Sequence, residues 1–310
     1  MTEICVIVCT FNRCEYLPKL IESLTNQTLS SESFEIVVVD NNSEDKTRET
    51  IARFESSVKN MRYVCEPEQG LSVARNRGVR ETEATYVVFV DDDAYAEPRW
   101  LVSLLEAFGK DEGIVCVGGP VELDWQGSRP AWVPERYESL FTSVDHGSAE
   151  RYLDAGEYLV GANIAFRRTW LMERGGFPRN LGRKGLSLLS GEEAAVYKDV
   201  FADGKRAFYH PGAKVRHRVT RERKTRTWFL RRLFWDGATQ PILDFGTGQP
   251  SRTYWRGAWY DLRRCARFFL EATAAFLLLN HDACIDAFCR LDQRLGRLYV
   301  NLKLASGMIR

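Results

Sequence analysis

Short, almost wholly apolar runs that each stop at a cluster of small polar residues constrain this chain more than any other feature. Residues 4–9 (Ile-Cys-Val-Ile-Val-Cys) read as a strand covered on both faces, because a half-exposed strand would alternate apolar with polar side chains. Phe34 to Val39 is a second such run, ending at Asp40. Met61 to Cys65 reads as a third strand, and Tyr86 to Val90 is a further apolar run, read as the fourth strand. Between them the period turns helical. Leu17, Leu20, Ile21 and Leu24 share one face, and residues 45–54 and 71–80 read as further helices. A repeated β-α unit of this kind predicts the α/β class, with a doubly wound, mostly parallel sheet.

Ligands of such sheets bind beyond the carboxyl ends of the strands. Thr10-Phe11-Asn12-Arg13 follows the first strand, Asp40-Asn41-Asn42-Ser43 the second, and Asp91-Asp92-Asp93 the fourth. Three strand ends therefore aim short polar side chains at one crevice. Three adjacent carboxylates repel one another unless a cation or an arginine neutralises them. Hard cations such as Mg2+ and Mn2+ prefer carboxylate oxygens and share their sphere with substrate phosphates. Alternation along an extended chain would turn Asp91 and Asp93 to one side and Asp92 to the other. A solvated acidic turn is the bland alternative; it accounts for one polar strand end, not for three.

Further along, Pro98 to Phe108 opens and forms a helix, and Ile114 to Val117 is another apolar strand. Residues 122–157 read as an irregular, acceptor-side loop, and 159–166 as a strand with a Gly break. Residues 169–174 form a short helix. Helix 192–202 begins with two acids, which suits the helix dipole. Short strands follow at 207–209 and 213–219, and from 227 the chain is largely helical, interrupted near 246–250.

The formal net charge of +1 gives no global case for nucleic acid. None of the eight cysteines forms a Cys-x-x-Cys pair, which argues against zinc and for thiols kept reduced. The first residues lead straight into strand-like sequence with no signal-peptide core. The most apolar stretch, Phe268 to Leu279, contains Glu271 and is too short for a bilayer span. The expected location is cytoplasmic, with any membrane contact peripheral at the inner face.

The succession Val8-Cys9-Thr10-Phe11-Asn12-Arg13, Val39-Asp40-Asn41-Asn42-Ser43, Gly70-Leu71-Ser72-Val73-Ala74-Arg75-Asn76-Arg77-Gly78 and Phe89-Val90-Asp91-Asp92-Asp93 closely resembles family 2 glycosyltransferases. The resemblance covers roughly residues 3–220 and implies a GT-A fold and an inverting reaction. It implies a nucleotide-sugar donor, expected to be UDP-linked, a saccharide or lipid-linked acceptor, and Mg2+ or Mn2+ as cofactor. It divides the chain into a nucleotide-sugar-binding and catalytic domain, 1–225, and a helical carboxyl-terminal extension, 226–310.

By position, the resemblance puts Thr10 and Asn12 under the nucleoside, Asp40 on the base or ribose, and Asn42 close by. Arg75 would face the uridine or diphosphate, and Asp91 and Asp93 would match the family's metal-binding motif, with Asp93 the direct ligand. Asp92 is left as a nucleoside or backbone partner. Thr10 and Asn42 could instead cap the following helices, and Arg75 could pair with a surface acid. Gly191-Glu192-Glu193 resembles the family's catalytic acidic pair, whose second member is usually Asp. An acceptor hydroxyl that displaces a nucleotide diphosphate needs a base to take its proton. Glu193 is assigned that role and Glu192 is its neighbour holding the acceptor, although the extra methylene of Glu leaves their order open. Asn163, in Gly161-Ala162-Asn163, would offer an amide to either sugar or else form a structural turn. His217 stands where related enzymes carry a late histidine facing the metal or diphosphate, with a non-ligand histidine as the alternative.

Arg218, Arg221, Arg223, Lys224, Arg226, Arg231 and Arg232 form a basic run that would clamp a diphosphate, dock on anionic lipid, or simply be a solvated face. Trp228, Phe229, Phe234 and Trp235 recur at helical spacing, as core residues do. With Trp255 and Trp259 they also suit an interfacial amphipathic surface. Two rival functions remain: a sugar-nucleotide nucleotidyltransferase, and a noncatalytic sugar-nucleotide-binding protein. The first usually needs a Gly-rich, basic loop after strand one, absent here; the second would not need Asp91, Asp93 and Glu193. A Rossmann dehydrogenase is excluded because no Gly-x-Gly-x-x-Gly follows the first strand. Oligomeric state is not legible.

Overall fold

A computed structural model describes residues 2–308 except 186 and 247. The chain forms two compact units, one of Met1–Gly185 and Glu192–Thr220, the other of Leu186–Gly191 and Arg221–Arg310.

The first unit opens with β1 (Ile4–Thr10), α1 (Leu17–Thr25), β2 (Phe34–Asp40), α2 (Thr47–Glu55) and β3 (Met61–Cys65). It continues with α3 (Leu71–Arg80), β4 (Tyr86–Asp91), β5 (Ala94–Ala96), α4 (Trp100–Phe108) and β6 (Ile114–Gly118). Then come β7 (Val121–Asp124), β8 (Arg151–Leu153), β9 (Ile164–Arg167) and α5 (Arg168–Glu173). It closes with α6 (Glu192–Ala202), β10 (Arg206–Tyr209) and β11 (Val215–Arg218).

Eight strands make one sheet in the order β3-β2-β1-β4-β9-β6-β10-β8. β1 runs parallel to β2 and β4, and β2 to β3, as the apolar runs predict. The two faces of β1 show why. Ile4, Val6 and Val8 pack with α1, α2 and α4, whereas Cys5 and Ile7 pack with α3 and residues around α5 and α6. Each such fully buried Val or Ile contributes about 1.5–3 kcal/mol. α1 buries Leu17, Leu20, Ile21 and Leu24, the face read from its spacing, with Pro18 in its first turn, where the missing N–H costs nothing. α3 lies so close to the sheet that a Cβ on Gly78 would stand 2.4 Å from Ile7 Cγ2.

One strand departs from the expected plan. Residues 159–163 are a turn, and the strand proper starts at Ile164 and runs antiparallel to both β4 and β6. Reversal puts the start of β9 at the edge where the parallel strands end, so Gly161–Asn163 sits at the ligand-binding edge. The stretch 122–157 is less irregular than its composition suggests, holding most of β7, a 3-10 turn at Glu135–Phe141, and β8. A second, three-stranded sheet has the order β5-β11-β7.

The other unit contains α7 (Arg226–Phe245), α8 (Ser251–Leu277) and α9 (His281–Ala305). Thr225 caps α7, its hydroxyl accepting from Trp228 N at 3.2 Å. Asp261 of α8 is buried against α9, where it accepts from Arg294 at 2.8 Å and Asn301 at 2.9 Å. All eight cysteines are free thiols. No helix among the described residues is long and apolar enough to cross a membrane.

Candidate active site

The Asp run is brought to a histidine by the small second sheet. β4 stops at Asp91, the chain turns through Asp92 and Asp93, and β5 then pairs antiparallel with β11. That register sets His217 opposite Ala94, and Arg218 N donates to Asp93 O at 2.9 Å. His217 Nε2 consequently lies 3.1 Å from Asp93 Oδ1 and 3.8 Å from Asp91 Oδ2. Asp91, Asp93 and His217 can present one ligand atom each within 4.8 Å of one another. Two carboxylates and an imidazole suit Mn2+ or Mg2+. The convergence of Asp91 and Asp93 arises from this turn, because the strand alternation invoked for it ends at Asp91.

Asp92 faces a different partner. Its carboxylate accepts from Thr10 Oγ1 at 2.9 Å and from Arg13 Nη1 at 2.7 Å, and the same Arg13 nitrogen reaches Asp93 Oδ2 at 2.9 Å. Burial pushes the Asp92 carboxyl up, with Asp93 adding to the rise, against the pull of Arg13. The Arg13 guanidinium is held firmly charged, chiefly by Asp92. Arg13 was legible in the sequence only as part of a motif. Its clamp on two of the three aspartates is the neutralising arginine that the triplet's mutual repulsion demands.

Arg75 is a buried hub, neither a surface residue nor a solvated one. Its guanidinium donates to Glu192 Oε1 at 2.7 Å and lies 3.7 Å from Asp91 Oδ1 and 3.9 Å from Glu193 Oε2. The rings of Phe89 and Phe177 stand 5.7 and 5.4 Å from it. Gly161 leaves the space the guanidinium occupies, since a Cβ there would fall 2.0 Å from Arg75 Nη2. One cation thus ties the Asp run to the Glu pair.

The two glutamates differ. Glu192 is buried, and burial together with the neighbouring Glu193 carboxylate pushes it up to about 8, Arg75 opposing. Glu193 keeps part of its side chain exposed and accepts from Gly161 N at 3.3 Å. Asn163 spends its amide internally. Its oxygen accepts from Trp100 Nε1 at 2.8 Å, and its nitrogen donates to the carbonyls of Ala213 and Pro120 at 2.7 and 3.2 Å.

On the other flank, Asp40 accepts from Ser43 N and from the Tyr63 hydroxyl, both at 2.9 Å. Asn12 and Asn42 have positive φ, of 52° and 65°, which Asn tolerates better than most residues. Asn12 Oδ1 accepts from Glu44 N at 2.7 Å, which joins the loops after β1 and β2. Asn42 is exposed. The buried amide is that of Asn41, which donates to the carbonyls of Glu66 and Glu68 and accepts from Gly70 N at the start of α3. No sequence signal separates Asn41 from Asn42. Of the basic run, Arg218 lies over the Tyr16 ring in the first unit, whereas the residues from Arg221 onward belong to the helical unit.

A mostly parallel sheet with acidic residues at its carboxyl edge and a cation-type donor set there defines an α/β protein whose ligand edge is built to hold a cation. Residues 5–175 match the family model described as "Glycosyl transferase family 2", and the chain belongs to that family and is a glycosyltransferase. It is 31% identical over 248 residues to the glucosyl-dolichyl phosphate glucuronosyltransferase of Haloferax volcanii, covering 78% of this chain and 77% of that one. It is 27% identical over 307 residues to the succinoglycan biosynthesis protein ExoM of Rhizobium meliloti, covering 97% and 91%. In fold it resembles the mannosyltransferase PcManGT from Pyrobaculum calidifontis, solved with GDP-Man and Mn2+, with a TM-score of 0.65 and 20% identity over 96% of this chain and 86% of that one.

Proposed function

We propose that the chain moves a sugar from a nucleotide-diphosphate sugar, UDP-linked, to a hydroxyl of a lipid-linked saccharide, with inversion at the anomeric carbon. The observation that carries this reading is the link through Arg75, which joins a cation-type donor set to a partly exposed Glu193. A leaving group and an acceptor base are what a single displacement needs at opposite ends of one site. The lipid-linked acceptor is supported by the relative from Haloferax volcanii, a glucosyl-dolichyl phosphate glucuronosyltransferase. A cytoplasmic compartment accords with eight free thiols.

In this mechanism Glu193 takes the proton of the attacking hydroxyl as the new C–O bond forms and the bond to the diphosphate breaks. Glu192, bonded to Arg75, fixes the acceptor side of the pair. Asp91, Asp93 and His217 would hold Mn2+ or Mg2+, which when bound offsets charge on the leaving diphosphate. Thr10 and Arg13 hold Asp92 in place, and Asn12, Asp40 and Asn42 border the nucleoside. Asn163 anchors the turn that carries Gly161.

The test is release of nucleotide and formation of product from a panel of UDP-, GDP- and TDP-sugars with Mn2+, using a lipid-linked glycan and its delipidated form as acceptors. Transfer that survives both Asp93→Ala and Glu193→Ala would sink the mechanism.

A further inference from the structure

Helix α8 carries three distinct faces. Tyr254, Ala258, Cys265, Phe268 and Ala272 recur at helical spacing and are buried. A second row, Trp255, Trp259, Leu262, Phe269, Phe276 and Leu277, is 53–74% exposed. Roughly a quarter turn from it around the helix runs a third row, Arg252, Arg256, Arg263 and Arg267, all exposed.

At the end of α8 the apolar row widens into the turn to α9. Phe276, Leu277, Leu278 and Leu279 are four consecutive large apolar residues, 69–79% exposed. Soluble surfaces rarely leave such a contiguous patch bare. A buried face, an exposed apolar row and a flanking arginine row together describe a helix that lies in a membrane interface.

We propose that the α8–α9 hairpin docks on an anionic lipid bilayer, with the exposed row of α8 in the headgroup region and the Phe276–Leu279 turn inserted among the acyl chains. Charge decides the occupant. α8 has five arginines and two acids, Asp261 and Glu271. Both acids are already engaged, Asp261 by Arg294 and Glu271 by Arg267 and Arg290. Arg252, Arg256 and Arg263 have no carboxylate partner among the described residues. Lipid phosphates supply the missing negative charge, whereas a second copy of the same face brings five more arginines and only the two acids already engaged. The docking is peripheral, since no described helix can span a bilayer.

The experiment uses the full chain with sucrose-loaded vesicles of pure phosphatidylcholine and of equimolar phosphatidylcholine and phosphatidylglycerol. Binding is read by co-sedimentation and by quenching of tryptophan emission with brominated lipid. The protein is expected to bind the anionic vesicles, to release with rising salt, and to be quenched through Trp255 and Trp259. Phe276→Ser combined with Leu278→Ser is expected to weaken partitioning about tenfold or more, and Arg256→Glu with Arg263→Glu by a similar factor. These positions are exposed, so both variants should fold as the parent does. The idea is overturned if the parent ignores anionic vesicles, if both variants bind like the parent, or if light scattering finds a dimer that the Phe276→Ser, Leu278→Ser variant dissolves. Binding is read without turnover, so its failure leaves the transfer mechanism standing.

Discussion

Replacing Arg75 by Gln should destabilise the first unit by an amount that grows with pH. The guanidinium is buried within 2.7–3.9 Å of Glu192, Asp91 and Glu193. Removing one partner of a buried ion pair typically costs about 3–5 kcal/mol, because the other charge is left uncompensated. A carboxyl can escape part of that cost by taking up a proton. Glu192 already does so readily, being pushed up to about 8 by burial and by Glu193, and loss of Arg75 removes the largest influence pulling it down. Near pH 6 Glu192 is protonated with or without Arg75, and the expected loss is about 1–2 kcal/mol, from Asp91 and Glu193. Near pH 9 the native parent carries the charge, and the loss should approach the full ~3–5 kcal/mol, or about 6–20 °C in melting temperature. Urea unfolding across that range measures it. The double variant Arg75→Gln, Glu192→Gln should recover much of the loss at high pH, giving a non-additive cycle. A loss that is independent of pH, or below ~1 kcal/mol at pH 9, would refute the reading of Arg75 as a buried hub.

Four further outcomes are expected from the same geometry. Since Glu192 titrates higher in the native chain than in the unfolded one, the native state holds the extra proton between about pH 4.5 and 8. Its contribution to stability is therefore present at low pH and lost as pH rises through that window; Glu192→Gln, which mimics the protonated form, should flatten this part of a melting-temperature profile. Glu193→Gln should lower kcat by about 10²–10⁴-fold with little change in donor KM, whereas an equal fall in affinity would move Glu193 to a binding role. His217→Ala should raise the Mn2+ concentration for half-maximal activity by about tenfold or more, and an unchanged metal requirement would remove the histidine from the donor set. Gly161→Ala should cost about 1–3 kcal/mol, since its Cβ would sit 2.0 Å from Arg75 Nη2; a stable variant would mean the turn can move.

The sheet was legible because buried parallel strands leave a composition that nothing else leaves. Ile4 to Thr10 has no solvent face, so no alternation masks the run. The polar strand ends were legible for the same reason, as Asp40 and Asp91 directly follow the apolar runs 36–39 and 87–90. Long-range pairings were not. Arg13 lies 79 residues from Asp92, and Arg75 lies 117 from Glu192; no local period encodes either contact. The same holds for Asn163, whose partners Trp100 and Ala213 lie on separate elements. Its amide could face a sugar or hold a turn on sequence alone, and its hydrogen bonds run into the protein.

The reversed strand β9 explains why only half of the site is visible in local sequence patterns. An all-parallel sheet would deliver to its carboxyl edge only the residues just after each strand, and the β-α pattern shows those residues directly. An antiparallel strand delivers the residues just before it, so the Gly161–Asn163 turn reaches the same edge from the opposite direction. Its arrival closes the space over Arg75 and gives Glu193 a backbone donor. The Asp-rich half of the site thus comes from strand ends, while the half around Glu193 depends on one reversal that apolar periodicity cannot orient, because a buried run reads the same in both directions.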